Sequence, residues 1–223
     1  MNGCDLISGL LKDEAYCKLV MMIYDGKFVP DQIYSLNMTA DLLQMSRTPV
    51  RDAIQRLSNE GKIDLLPSRG FCLHRLSETE FLNRIHLSNS VEGYCAYSLA
   101  KKRKNGVTSA DILTLQDLVH KMESLDLETV SFGEFTRLDN AFHQALIDSV
   151  QEAHFGELFE KQAGLINSPE LHPIKTPQWF GIILSHHQRI FKAIWDGDCI
   201  GAYEALISHA ESVYSSYKKA RKD

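Results

Sequence analysis

No run of this chain stays apolar for the roughly 20 residues that a bilayer-spanning helix needs. Its start carries Asp5 rather than a basic segment followed by an apolar one. Neither a membrane partner nor a secretory leader is expected, and the sequence reads as cytoplasmic. The five cysteines, Cys4, Cys17, Cys72, Cys95 and Cys199, are widely scattered with no C-x-x-C pair, which speaks against a disulfide framework and a thiolate zinc knuckle. Internal repeats and low-complexity segments are missing. Proline is scarce, six residues in all, and three of these (Pro169, Pro173 and Pro177) fall together. At 44% hydrophobic and 24% charged, the composition leaves out the disordered and fibrous classes.

An overall excess of positive charge is also absent, the formal net charge being -5. That deficit is uneven. Residues 1–76 hold nine Lys/Arg and nine Asp/Glu, so the whole negative balance lies in residues 77–223. Ser46 to Leu76 carries six basic and three acidic residues. A basic patch on an acidic protein is the footprint of a nucleic-acid-binding module joined to a different domain.

Within that patch, Ser46 can cap a helix, Pro49 falls in its first turn, and Val50, Ala53, Ile54 and Leu57 recur at helical spacing up to a stop at Gly61. Arg47, Thr48 and Arg51 crowd the helix start, away from the apolar stripe. A recognition helix meets the DNA major groove in this way. Met1 to Leu11 reads as an arm, followed by a helix from Asp13 to about Gly26. A short helix capped by Asn37 and ending near Met45 leads into the recognition helix, making a helix-turn-helix. Lys62–Leu66 and Phe71–His74 read as two strands of a wing, with Ser68, Arg69 and Gly70 at a tip that can approach phosphate or enter a minor groove.

The order of these elements, and the wording SRTPVRDAIQRLSNEGKIDLLPSRGF, resemble the GntR-type bacterial transcription regulators over roughly residues 10–76. The resemblance implies that Ser46, Arg47, Thr48 and Arg51, with the wing around Arg69 and Gly70, contact a double-stranded operator. Asp31 and Gln44 stand where that family frequently has glycine.

From Ser77 onward the chain reads as helices alone: Glu78 to Lys104, Ser109 to Leu125, Thr129 to Ser149, Ala153 to Ile166, Trp179 to Asp196 and Asp198 to Lys219, with a proline-rich loop at Asn167 to Gln178. The expected fold is mainly α: a winged helix-turn-helix over residues 1–76 and an antiparallel all-α bundle of about six helices over 77–223. Asp139 and His143 lie four apart on one helix, His187 on the next to last and His209 on the last. Three imidazoles and a carboxylate converging in a bundle core suit a divalent metal, zinc first, with nickel, manganese or iron as alternatives.

LDNAFHQAL around Asp139 and His143, and HQRIFKAIWDGD after His187, look like the FCD effector-binding domain of the FadR-like branch of GntR regulators. That likeness carries over all four ligand positions. It also implies a homodimer on a palindromic operator and a small-molecule effector, commonly a carboxylate, held beside the metal. Arg84, Ser88 and Glu92 are the effector-contact candidates; Ser88 stands where the family often has an arginine that pairs with a carboxylate. Two alternatives remain open: the same regulator with a metal-free ligand site, and a metal-dependent hydrolytic enzyme.

Overall fold

The computed structural model describes residues 3–152, 154–156 and 176–220. The chain divides into two compact units, Met1–Arg75 and Leu76–Asp223.

In the first unit, α1 spans Gly3–Tyr24, so most of the segment expected as an arm is helical. Once Ala15, Leu19 and Ile23 are buried, extending the helix backwards gains a hydrogen bond for each residue fixed. Next, α2 spans Leu36–Leu43 and is capped by Ser35 rather than Asn37, the Ser35 hydroxyl accepting from Met38 N at 3.2 Å. The cap falls there because Tyr34 is held extended by a β-bridge to Phe71, which leaves Ser35 as the last residue before the helical turn. Gln44, in the left-handed region at φ 53°, ends α2. Then α3 spans Arg47–Asn59 and buries Pro49, Val50, Ala53, Ile54 and Leu57.

The wing is the antiparallel pair β1 (Ile63–Leu66) and β2 (Gly70–Leu73), in register from Ile63 opposite Leu73 to Leu66 opposite Gly70. Ile63, Phe71 and Leu73 point into the core shared with α1, α2 and α3. Phe28 sits edge-on to Tyr34, with ring centroids 4.6 Å apart, and to Phe71 at 5.6 Å.

In the second unit, α4 spans Glu78–Lys104, α5 Ala110–Glu123, α6 Phe132–Asp148, α7 Pro177–Asp196 and α8 Cys199–Ala220. A capping box starts α4: Ser77 accepts from Glu80 N at 3.1 Å, and Glu80 accepts from Ser77 N at 2.8 Å. Pro177 opens α7, with Thr176 as cap, rather than closing the loop before it; proline lacks only an N–H that the first turn leaves unbonded. The expected helix at Ala153 to Ile166 lies outside the described residues except for 154–156, which are helical. Most of the expected loop at Asn167 to Gln178 lies outside them too. Two apolar clusters fill the bundle. One is built on Val91, Leu99, Leu115, Phe142, Ile190 and Leu206, the other on Phe81, Met122, Phe135, Ile183 and Tyr217.

Candidate metal centre and nucleic-acid interface

At the start of α3, Ser46, Arg47, Thr48 and Arg51 are all exposed. The Ser46 backbone is extended, as a cap requires, but its hydroxyl makes no capping bond. Among the described residues, Arg47, Arg51 and Arg69 have no ion-pair partner. Arg56, further along α3, is engaged within the unit: it lies 3.5 Å from Asp13 and 3.1 Å from Glu60, with its guanidinium 3.8 Å above the Tyr16 ring. The basic groups of this unit therefore fall into two sets, one committed to structure and one facing outward. At the wing tip, Ser68 has φ 61° and Gly70 φ 125°. A Cβ on Gly70 would stand 2.1 Å from the Tyr34 carbonyl oxygen. Gly70 is thus demanded by the bridge that ties the wing to the segment before α2.

Asp139 and His143 come from α6, His187 from α7 and His209 from α8. One nitrogen of each of the three histidines lies within 4.8 Å of the others. Asp139 Oδ1 is 3.3 Å from His187 Nε2 and 3.8 Å from His143 Nε2. The group is buried: the Asp139 and His187 side chains are fully so and that of His143 is 12% exposed. Phe142 stacks on the His187 ring, centroids 4.3 Å apart and planes 15° from parallel. On its other side His187 Nδ1 meets Met122 Sδ at 3.4 Å.

Burial first, and then the neighbouring histidines, pull His187 and His209 well below the ordinary imidazole value. Both are neutral at pH 7 and carry a lone pair. Burial also works against a charge on His143, but Glu92, by charge and hydrogen bond, and then Asp139 outweigh it and raise His143 to about 9. His143 must shed a proton to become a ligand. His209 Nδ1 is buried and makes no hydrogen bond among the described residues. Such an atom is costly in a buried core. Buried imidazoles and a carboxylate gathered this closely suit a divalent cation.

Of the effector candidates, Ser88 and Glu92 reach this cluster and Arg84 does not. Glu92 Oε2 hydrogen-bonds His143 Nδ1, and Glu92 Oε1 accepts from Ser88 Oγ. Burial lowers the Arg84 guanidinium, and the charge acting on it is that of Glu80. Spacing did not reveal the Glu92–His143 link or the Met122 contact, because both join residues far apart in sequence. His186, next to His187 in the chain, is half-buried with its ring 5.8 Å from His209.

A family model described as "Bacterial regulatory proteins, gntR family" matches residues 11–73, and one described as "FCD domain" matches residues 86–212. A Streptomyces ambofaciens protein, described as an uncharacterized HTH-type transcriptional regulator in unstable DNA locus, is 26% identical over 93% of this chain and 85% of its own length. The Bacillus subtilis HTH-type transcriptional regulator LutR is 25% identical over 88% of this chain and 97% of its own. Among solved structures, E. coli McbR/YncC superposes with a TM-score of 0.78 at 18% identity, covering 96% of this chain and 99% of that one, a likeness of fold. These families and relatives are transcription regulators, which sets aside the hydrolytic alternative.

Proposed function

The chain belongs to the GntR family of bacterial regulatory proteins, with an FCD domain behind its DNA-binding module, and from that premise we propose that a small metabolite held beside a divalent cation governs its affinity for an operator. The observation that carries this reading is the meeting of His143, His187 and His209 from three separate helices in a buried core.

In this reading Asp139, His143, His187 and His209 hold the cation. Once bound, it supplies a Lewis-acid position for an oxygen atom of the metabolite, a carboxylate being the expected donor. Ligand binding favours one arrangement of α6, α7 and α8 over another. Operator affinity follows by linkage, to the extent that the two arrangements differ in their affinity for DNA. Two copies of the chain present Ser46, Arg47, Thr48 and Arg51 to the two halves of a palindromic site, with Ser68 and Arg69 of each wing beside the backbone. The free, outward guanidinium groups of Arg47, Arg51 and Arg69 support that assignment.

Fluorescence anisotropy on DNA from upstream of the gene tests the reading. The wild type binds, and Arg47→Ala with Arg51→Ala loses most of that affinity and lowers the salt slope by about two per chain, about four for the two copies on one site. Unchanged binding by the double variant contradicts the DNA assignment. Stripping the protein with chelator and restoring zinc tests the cation separately: a metal-free regulator responds to neither step.

A further inference from the structure

Building on the metal reading, we propose that Glu92 is a positioning residue for the cation site, holding His143 in the one tautomer and orientation in which Nε2 faces Asp139 and His187, with Ser88 fixing Glu92 in turn.

Glu92 is 2% exposed, in the middle of α4, and its helix contributes none of the four ligands. A carboxylate in such a place is expensive unless each oxygen has a donor. It has two: Ser88 Oγ, one turn earlier on α4, donates to Oε1, and His143 Nδ1 meets Oε2. An ionised carboxylate can only accept, so Nδ1 must carry the hydrogen. In the neutral ring that leaves the lone pair on Nε2, the nitrogen 3.8 Å from Asp139 Oδ1. His187 Nε2 approaches the same oxygen at 3.3 Å. The ring therefore spans from a buried anion on one side to the ligand cluster on the other, the arrangement by which a second carboxylate orients a metal-binding imidazole. Ser88 has its own part here: without an arginine at that position, its hydroxyl is what meets the Glu92 oxygen facing away from His143. The chain Ser88, Glu92, His143 joins α4 to the ligands on α6, α7 and α8.

Cobalt(II) and zinc(II) titrations of the full chain, read by chelator competition and by the visible cobalt spectrum, test this. Glu92→Gln weakens cobalt binding by about 10- to 100-fold and shifts the spectrum, while the helical circular dichroism and the melting of the stripped protein are kept. Ser88→Ala, a milder change that leaves every charge in place, gives a smaller loss in the same direction. In the His143→Ala background, Glu92→Gln causes no further loss. Wild-type affinity in Glu92→Gln and Ser88→Ala overturns the proposal, as does a Glu92→Gln loss of equal size with His143 absent. If Glu92→Gln does not fold, wild-type affinity in Ser88→Ala overturns it. A wild type that binds no cobalt or zinc overturns the metal reading itself, a result distinct from these.

Discussion

Gln44 holds a left-handed backbone at φ 53° between the two helices of the helix-turn-helix, a conformation that sets Cβ against the following carbonyl and costs about 1–2 kcal/mol for an ordinary side chain. Glycine adopts it freely but loses more chain entropy on folding. The balance favours Gln44→Gly by about 0.5–1 kcal/mol, measured as a rise in the urea midpoint of the DNA-binding unit. Asp31, at φ 66°, is the other position where the family's frequent glycine is replaced, and Asp tolerates the region better. The sequence marked both positions as departures without telling their conformation; both hold the left-handed backbone that glycine adopts freely. The histidine cluster was legible in the same partial way. Four-residue spacing put Asp139 and His143 on one face, but the Phe142 ring on His187 and the Glu92 bond to His143 needed the tertiary arrangement.

Helix α3 shows which parts of an element can be read in advance. Its apolar spacing marked Val50, Ala53, Ile54 and Leu57, and all four are buried. The ends of elements were harder: Ser35 displaced Asn37 as the cap of α2 because of a bridge to a strand 37 residues later. The far end of α3 is held by a cluster of Arg56, Glu60, Lys62 and Tyr16. Glu60 lies 3.1 Å from Arg56 and 2.7 Å from Lys62, and accepts from the Tyr16 hydroxyl at 2.7 Å. Burial alone would raise Glu60, but these partners overcome it and hold the carboxyl below its ordinary 4.5. A carboxyl lower in the folded chain than in the unfolded one stabilises fully above the unfolded value, and that share is lost as pH falls through the folded value. Denaturation followed from about pH 6 down to about pH 3 should therefore show a shallower acid decline in Glu60→Gln than in the wild type.

In the last turn of α8, Tyr217 is fully buried, stacked on Phe81 at 3.9 Å and donating to the Leu76 carbonyl at 2.7 Å. Tyr217→Phe keeps the ring and removes the bond. It should cost about 1 kcal/mol, seen as a lower melting temperature of the second unit.

For the whole molecule, composition separated an N-terminal region of balanced charge that carries a basic patch from an acidic remainder, and that division foretold two kinds of work in one chain. Helix content was legible because both units bury one face of each helix. Which helices face one another was not, since sequence periodicity gives a face without its partner. In the metal reading proposed above, the cation would couple to the stability of the second unit by mass action. At a free concentration 100 times its dissociation constant it adds about 2.7 kcal/mol. Chelation should lower the melting of that unit and leave the DNA-binding unit unchanged. Without the cation His143 keeps its proton up to about pH 9, so protons compete with the cation below that value and the stabilisation weakens as pH falls through it.

Native mass spectrometry of the full chain as purified tests the central claim most directly. The account predicts one divalent cation per chain, two in a dimer, lost on acidification and on chelation and regained with added zinc. A bare chain mass before chelation, unchanged by added zinc at neutral pH, would contradict it.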